Sequence, residues 1–126
     1  MGEERCLEMF LDFFKNADSV KILDIILDIY DQIKSREIDR NISKKKFLKV
    51  LYNLKQSQTI DSLLEKKDKM LLNSFLTDFL QINSSSGEFY IGNRRLCQLS
   101  FEEFINLLMK VKYLKVKELQ QEEAVN

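Results

Sequence analysis

The chain has 126 residues, and its 20 basic and 20 acidic side chains give a formal net charge of zero. This length predicts one domain with its own core, and the balanced charge excludes a global field that would attract nucleic acid or an anionic membrane. The absence of histidine excludes a histidine-based catalytic triad, an imidazole general base and most zinc sites.

Other classes of protein lack support as well. No apolar run approaches the roughly 20 residues that span a bilayer, and the start MGEERC is unlike a signal peptide. Cys6 and Cys97 are therefore expected to be free thiols of a cytosolic or nuclear protein. With no P-loop and no GxGxxG motif, we expect neither an enzyme nor a bound cofactor or metal.

The N-terminal third predicts two helices. Residues 6–14 (CLEMFLDFF) form a short one with an apolar face. Asp18 or Ser19 is expected to cap the second, VKILDIILDIYDQIK (20–34), whose apolar residues follow helical spacing. Its solvent-facing side is expected to carry the aspartates at positions 24, 28 and 31.

A polar segment, SREIDRN (35–41), separates these helices from a third. Ser43 is expected to cap KKKFLKVLYNLK (44–55). The side expected to be buried carries Phe47, Leu48, Val50, Leu51 and Leu54. Thr59 is expected to cap a further helix, IDSLLEKKDKM (60–70), with a kink or join to the next within residues 66–70.

The C-terminal half predicts two more helices around one loop. LLNSFLTDFLQI (71–82) is periodic, and Ser100 with Glu103 has the spacing of a capping box for a helix over 101–120, with a fraying tail. Between them, Gly92-Asn93 is expected to close either a two-residue hairpin or an irregular bend. The fold class is therefore all-α: a single domain, 1–126, forming a right-handed bundle or short repeat stack of five to six helices, with a structured loop or short hairpin near 84–99.

Charge is segregated along the chain. Residues 1–31 carry eight acids against three bases, and residues 34–55 carry eight bases against two acids. Both segments are explained by solvated helix faces. The basic segment, 34–55, is alternatively a surface for an acidic partner peptide or a phosphate backbone.

Two interpretations of the loop come from general motifs. As the wing of a winged helix it offers Arg94 and Arg95, but the helix before it has no positive charge with which to read DNA. As relics of a non-calcium-binding EF-hand pair, LSFEEF (99–104) and ISKKKF (42–47) imitate calcium-loop exits without the oxygen donors. The EF-hand alternative implies a light-chain-like, helix-binding protein with a short ladder near Ile42 and Leu99.

A third interpretation rests on a resemblance. ILDIYDQIKSREIDRN, FLKVLYNLKQSQTIDSLL and LLNSFLTDFLQINSSSGEFYIGNRRL together resemble the core of IWS/SPN-type transcription elongation factors, which have a TFIIS N-terminal-domain-like helical fold. Phe79-Leu80 stands at the family's Trp-Leu, residues 86–89 at its Asp-Gly-Ser-Leu, and Arg94 or Arg95 at its arginine. TIDSLLEKKDKMLLNSF (59–75) also resembles the TFIIS-type pattern, in a register that assigns the same residues to different helices.

The resemblance covers roughly residues 22–114 and implies further helices beyond Asn126. It implies a nuclear docking module of the RNA polymerase II elongation machinery that binds a short segment of a histone-chaperone elongation factor; a cytoplasmic location is the alternative. Nucleic acid, membranes and small-molecule substrates are not expected partners. The expected groove residues are Phe79, Phe89, Tyr90, Arg94 and Arg95, with Lys44, Lys45 and Lys46 as a rim for an acidic partner. The structural alternatives are core packing for Phe79, loop anchoring for Phe89 and Tyr90, and solvation for the arginines.

Overall fold

The computed structural model describes residues 3–54, 64–82, 89–91 and 97–125. Most of these residues are helical, which confirms the helical prediction in outline, but a small sheet is also present. The elements are α1 (Glu3–Phe13), α2 (Lys21–Arg36), α3 (Arg40–Leu54), α4 (Lys66–Ser74), a π-helical turn (Phe75–Phe79), β1 (Leu80–Ile82), β2 (Phe89–Ile91), β3 (Cys97–Leu99) and α5 (Phe101–Val125).

The start of α3 differs from the prediction. The Asp39 carboxylate accepts hydrogen bonds from the backbone amides of Asn41 at 2.8 Å and Ile42 at 3.3 Å, so it is the N-cap. Ser43 lies inside the helix, and its hydroxyl donates to the Glu37 carbonyl at 3.4 Å. The predicted cap at Ser43 is therefore wrong, because a carboxylate one turn earlier satisfies the free amides first.

The start of α2 is also capped differently. Val20 occupies its N-cap position without a side-chain hydrogen bond, so neither Asp18 nor Ser19 is the cap residue. Asp18 instead pairs with Lys67 of α4, and the Ser19 hydroxyl accepts a long 3.5 Å bond from the Lys21 amide. A carboxylate engaged by a distant helix no longer serves the helix that follows it in sequence.

The capping box of α5 is confirmed. The Ser100 amide donates to Glu103 Oε1 at 3.0 Å, and the Glu103 amide donates to Ser100 Oγ at 3.2 Å. From this start α5 runs 25 residues to Val125, past the predicted end at residue 120. Within the described residues, neither α5 nor any other helix is long and apolar enough to cross a membrane.

The segment 71–82 is not one helix. The α-helix ends at Ser74, and one π-helical turn then leads into β1. The rings of Phe75 and Phe79 stack with centroids 5.6 Å apart, and Leu80 is buried next to them. Glu65 is extended immediately before α4, so the expected join falls just ahead of residues 66–70. The helix expected from Thr59 lies largely outside the described residues.

The three strands form an antiparallel sheet in the order β1-β2-β3. Ile91 pairs with Cys97, whereas a two-residue turn at Gly92-Asn93 would pair Ile91 with Arg94. The expectation of a hairpin is therefore met. The predicted two-residue turn at Gly92-Asn93 is wrong, because the pairing of Ile91 with Cys97 leaves residues 92–96 between the strands. Residues 83–88 and 92–96, which connect the strands, lie outside the described residues.

The core lies between the sheet and the helices. The Phe89 ring of β2 stacks on Phe104 of α5, with centroids 4.5 Å apart and planes 4° from parallel. Phe104 also lies 6.2 Å from Phe10 of α1. The central helix α5 contacts α1, α2 and β3. These contacts fix the position of the first turns of α5 relative to the end of α2.

Candidate functional site

The aromatic residues that sequence reasoning assigned to a partner groove lie mainly in the core. Phe89 has no exposed surface, and the Phe79 ring packs edge-on against Phe10 at 5.1 Å. Tyr90, which points to the other face of β2, is half-buried. Because a partner reaches Phe89 only if the core opens, we leave Phe79 and Phe89 out of the candidate site and assign them to core packing.

The charged candidates divide into two groups. Arg94 and Arg95 lie outside the described residues. Lys45 and Lys46 are exposed on α3, Lys44 is half-buried, and the Lys46 ammonium lies 3.2 Å from Glu37 Oε2. The structure therefore does not bring the lysines and the buried aromatics into one groove.

A different groove lies beside these lysines. It has a volume of about 460 Å³ and runs between the corner joining α2 to α3 and the first turns of α5. We call it the corner cleft. Its lining residues are Tyr30, Lys34, Glu37, Ile38, Ser43, Phe101, Glu102, Ile105, Asn106 and Met109.

The floor of the corner cleft is continuous with the core. The half-buried Phe101 ring stacks on Phe89 at 6.2 Å and meets Tyr30 nearly edge-on at 5.7 Å. Ile105 and Met109 follow Phe101 at successive turns of α5, so one stripe of that helix faces the cleft. This stripe is held by the core packing of α5, which makes the cleft preformed.

The rim of the corner cleft exposes apolar side chains. Ile38, in the connection between α2 and α3, is 99% exposed, and Met109 is 44% exposed. Glu37 is extended (φ −132°, ψ 122°) and Asp39 caps α3, so the chain passes through Ile38 without helical neighbours to cover it. Ile38 and Met109 together place exposed apolar surface at the edge of the groove.

The charged groups of the corner cleft already have partners. The Lys34 ammonium lies 5.7 Å from the centroid of the Tyr30 ring, and Glu37 is bound by Lys46. Glu102 also has an interaction partner. The exposed lining of the cleft is thus polar and apolar in about equal parts, with its charged groups already paired, so it can receive an apolar side chain on its floor and polar groups around it.

A second, smaller cleft of about 350 Å³ lies between the end of α1 and α4. Its edge carries Met70, 63% exposed, and the exposed pair of Asp18 and Lys67. The hydrogen bond within that pair lowers the pKa of Asp18 and raises the pKa of Lys67. Since Met70 resembles Met109 in type and exposure, it provides a matched reference for the corner cleft.

The cysteines show no sign of reactivity. Cys6 of α1 and Cys97 of β3 are free and buried, and the Cys97 thiol contacts Met9 Sδ at 3.4 Å. Burial, followed by the hydrogen bond with Cys97, raises the pKa of Cys6 to about 12, so its thiol stays protonated at neutral pH. Across the described ranges, no group of three or more His, Cys, Asp or Glu residues is arranged to hold a metal ion.

The ladder that an EF-hand pair requires is not formed. Ile42 lies in the first turn of α3, and Leu99 pairs with Phe89 in the sheet. The two segments that imitate calcium-loop exits are therefore separate elements, which overturns the structural expectation of the EF-hand interpretation.

Comparison of the chain with protein-family models, with curated proteins and with solved structures found no match.

Sequence reasoning missed Ile38 because it lies in a polar segment that was interpreted only as a break between helices. The one available signal was an apolar residue surrounded by Arg36, Glu37, Asp39 and Arg40. Tyr30 and Met109 cannot be identified as site residues from the sequence for a different reason. Both belong to periodic helical patterns that also contain the core residues.

Proposed function

We propose that this protein is a docking module that binds a short segment of a partner protein in the corner cleft. The observation that carries the proposal is the preformed groove beside the 99%-exposed Ile38. An apolar side chain of the partner enters between Ile38 and Met109 and rests on Phe101. The backbone groups of the partner segment remain near solvent, where water or polar lining residues such as Ser43 and Asn106 satisfy them.

The energetics favour a small number of anchors. Covering a side chain such as Ile38 stabilises a complex by about 1.5–3 kcal/mol before the costs of association are subtracted. One anchor is insufficient for stable capture, but the cleft offers Ile38, Met109 and the ring of Phe101 together. This arrangement supports a segment with one or two large apolar residues and affinity that depends on them.

The identity of the partner rests on the sequence resemblance. Because residues 22–114 resemble the core of IWS/SPN-type elongation factors, we infer a nuclear module of the RNA polymerase II elongation machinery. Its partner is then a short segment of a histone-chaperone elongation factor. Lys45 and Lys46, which belong to the rim expected from that resemblance, lie on the helix that borders the cleft.

The experiment begins by selecting a phage-displayed library of random peptides on the folded chain. Enriched peptides, and in parallel overlapping peptides from disordered segments of a histone-chaperone elongation factor, are then titrated by calorimetry. We expect Ile38→Asp and Met109→Glu each to weaken binding about tenfold or more, because a charge replaces an anchor contact. The matched control Met70→Glu, which places the same charge on the second cleft, leaves affinity unchanged.

Two outcomes separate the levels of the proposal. If binding peptides are insensitive to Ile38→Asp and Met109→Glu, the docking function of the corner cleft is wrong. If the library peptides bind as expected but the elongation-factor peptides do not, docking stands and the elongation partner is wrong. Circular dichroism of each variant verifies that the fold is retained.

A further inference from the structure

The outward face of α3 is basic along its length. Lys45, Lys46 and Lys49 are exposed on it, between Ile42, 42% exposed, and Tyr52, 70% exposed. We call these five residues the lysine face. Their spacings of three and four residues place them on one side of the helix, with Lys45 and Lys49 one turn apart.

The lysine face is not neutralised by its own helix. No acidic residue occurs between Arg40 and Leu54. Lys46 is paired with Glu37, whereas Lys45 and Lys49 form no ion pair with any residue that the structure describes. Two like charges about 6 Å apart therefore face solvent between two exposed apolar side chains.

The lysine face and the corner cleft share an edge. Glu37 lines the cleft and binds the Lys46 ammonium at 3.2 Å, while Ser43, on the same helix as the lysines, lines the cleft as well. The cleft and the lysine face therefore meet at Glu37, Ser43 and Lys46.

We propose that the segment held by the corner cleft is acidic and continues across the lysine face, where its carboxylates pair with Lys45 and Lys49. This inference rests on the proposed docking function and specifies the chemistry of the partner. The face is about 15 Å long from Ile42 to Tyr52, which an extended segment of about five residues spans. Two acidic residues separated by a single residue are about 7 Å apart and match the two lysines.

A protein segment fits this surface better than a nucleic acid does. A phosphate backbone carries charge at every nucleotide and gains from continuous basic surface. Here the basic stretch is short, Glu37 and Glu102 line the adjoining cleft, and α2 exposes Asp24, Asp28 and Asp31. A peptide places its charges only where Lys45 and Lys49 stand, so it avoids the repulsion that a polyanion meets.

The library-selected peptides provide the test. We expect them to be enriched in aspartate and glutamate next to their apolar anchor. We also expect Lys45→Gln combined with Lys49→Gln to weaken their binding about 2- to 30-fold, the range for loss of two exposed ion pairs. The matched control Lys21→Gln with Lys66→Gln removes two exposed lysines elsewhere and leaves affinity unchanged. Raising the salt concentration weakens binding to the wild type more than to the Lys45/Lys49 variant.

The failures are distinguishable. Peptides that depend on Ile38 but show neither acidic enrichment nor sensitivity to the Lys45/Lys49 double substitution overturn this inference and leave the docking function intact. Peptides insensitive to Ile38→Asp overturn the docking function itself. A fluorescein-labelled single-stranded oligonucleotide is titrated in parallel at about 0.15 M salt. If it binds the wild type more tightly than the peptides do, the partner of the lysine face is a nucleic acid and not an acidic protein segment.

Discussion

The Lys115 ammonium donates a hydrogen bond of 3.1 Å to the backbone carbonyl of Lys15, although the Lys115 side chain is only 3% exposed. Lys15 follows the end of α1, where carbonyl groups lack helical partners and favour positive charge. The Glu118 carboxylate lies 3.4 Å from the same ammonium. Lys115 therefore links α5 to the end of α1. The first turns of the same helix, α5, line the corner cleft.

Replacing Lys115 by methionine keeps an unbranched apolar stem and removes the donor to Lys15. We expect the free energy of unfolding, measured by urea denaturation, to fall by about 1–3 kcal/mol because a buried bond to a charged group is lost. Lys112→Met, which removes an exposed partner of Asp24, serves as the control and costs at most about 1 kcal/mol. A Lys115→Met variant as stable as the wild type would show that desolvation of the ammonium cancels the gain from its bonds.

The cap of α3 makes a separate prediction, because Asp39 rather than Ser43 receives the free amides. Asp39→Ala should lower the free energy of unfolding by about 0.5–2 kcal/mol. Asp31→Ala, at an exposed aspartate within α2, provides the control and stays within about 0.5 kcal/mol. A greater loss from Ser43→Ala than from Asp39→Ala would contradict the observed start of the helix.

Phe89 should behave as a core residue. Phe89→Ala removes the ring that stacks on Phe104 and is expected to cost about 3–5 kcal/mol in urea denaturation. The aromatic control Tyr52→Ala removes an exposed ring and stays within about 0.5 kcal/mol. A loss below about 1 kcal/mol at Phe89 would instead favour the surface role expected from sequence.

The thiol of Cys6 predicts a pH dependence at alkaline pH. Its pKa rises from 9.0 in the unfolded chain to about 12 in the folded protein, because burial disfavours the thiolate. Above pH 9.0 the unfolded chain thus binds fewer protons than the folded protein, and the free energy of unfolding falls as pH rises toward 12. This contribution to the free energy of unfolding is fully present below pH 9.0. Between pH 9.0 and about 12 it is lost at about 1.4 kcal/mol per pH unit.

The difference between wild type and Cys6→Ala isolates this slope, since the other ionisable side chains are present in both proteins. Urea denaturation at several values from pH 8 to pH 11 is the measurement. Parallel pH profiles for the two proteins would contradict the buried, protonated state of Cys6.

The sequence predicted most helices because their apolar residues recur over several turns. The strands were predicted less well for the opposite reason: β1 falls within a predicted helix, and the hairpin of β2 and β3 was one of two alternatives for the loop. Phe89 and Ile91 alternate with Tyr90, and Cys97 and Leu99 alternate with Gln98, but three residues give too few repeats to identify a strand. The change from helix to strand at Leu80 depends on its pairing with Ile91, a tertiary contact that no local pattern contains.

The candidate site was predicted only at its lysine rim. Hydrophobic periodicity separates buried from exposed positions, but it does not tell which helices meet. Tyr30, Ile38 and Met109 are distant in sequence and come together only because α5 packs against α2. The aromatic residues near the loop drew attention as exposed candidates, although their apolar character serves the core.

The central claim is that the corner cleft holds a partner segment, and an NMR titration of the isotopically labelled chain with a library-selected peptide tests it most directly. We predict that the largest backbone amide shifts occur at Ile38, Ser43, Asn106 and Met109, and that Ile38→Asp abolishes them. Shifts concentrated instead at Met70 and Leu71, with the corner cleft unaffected, would contradict the account.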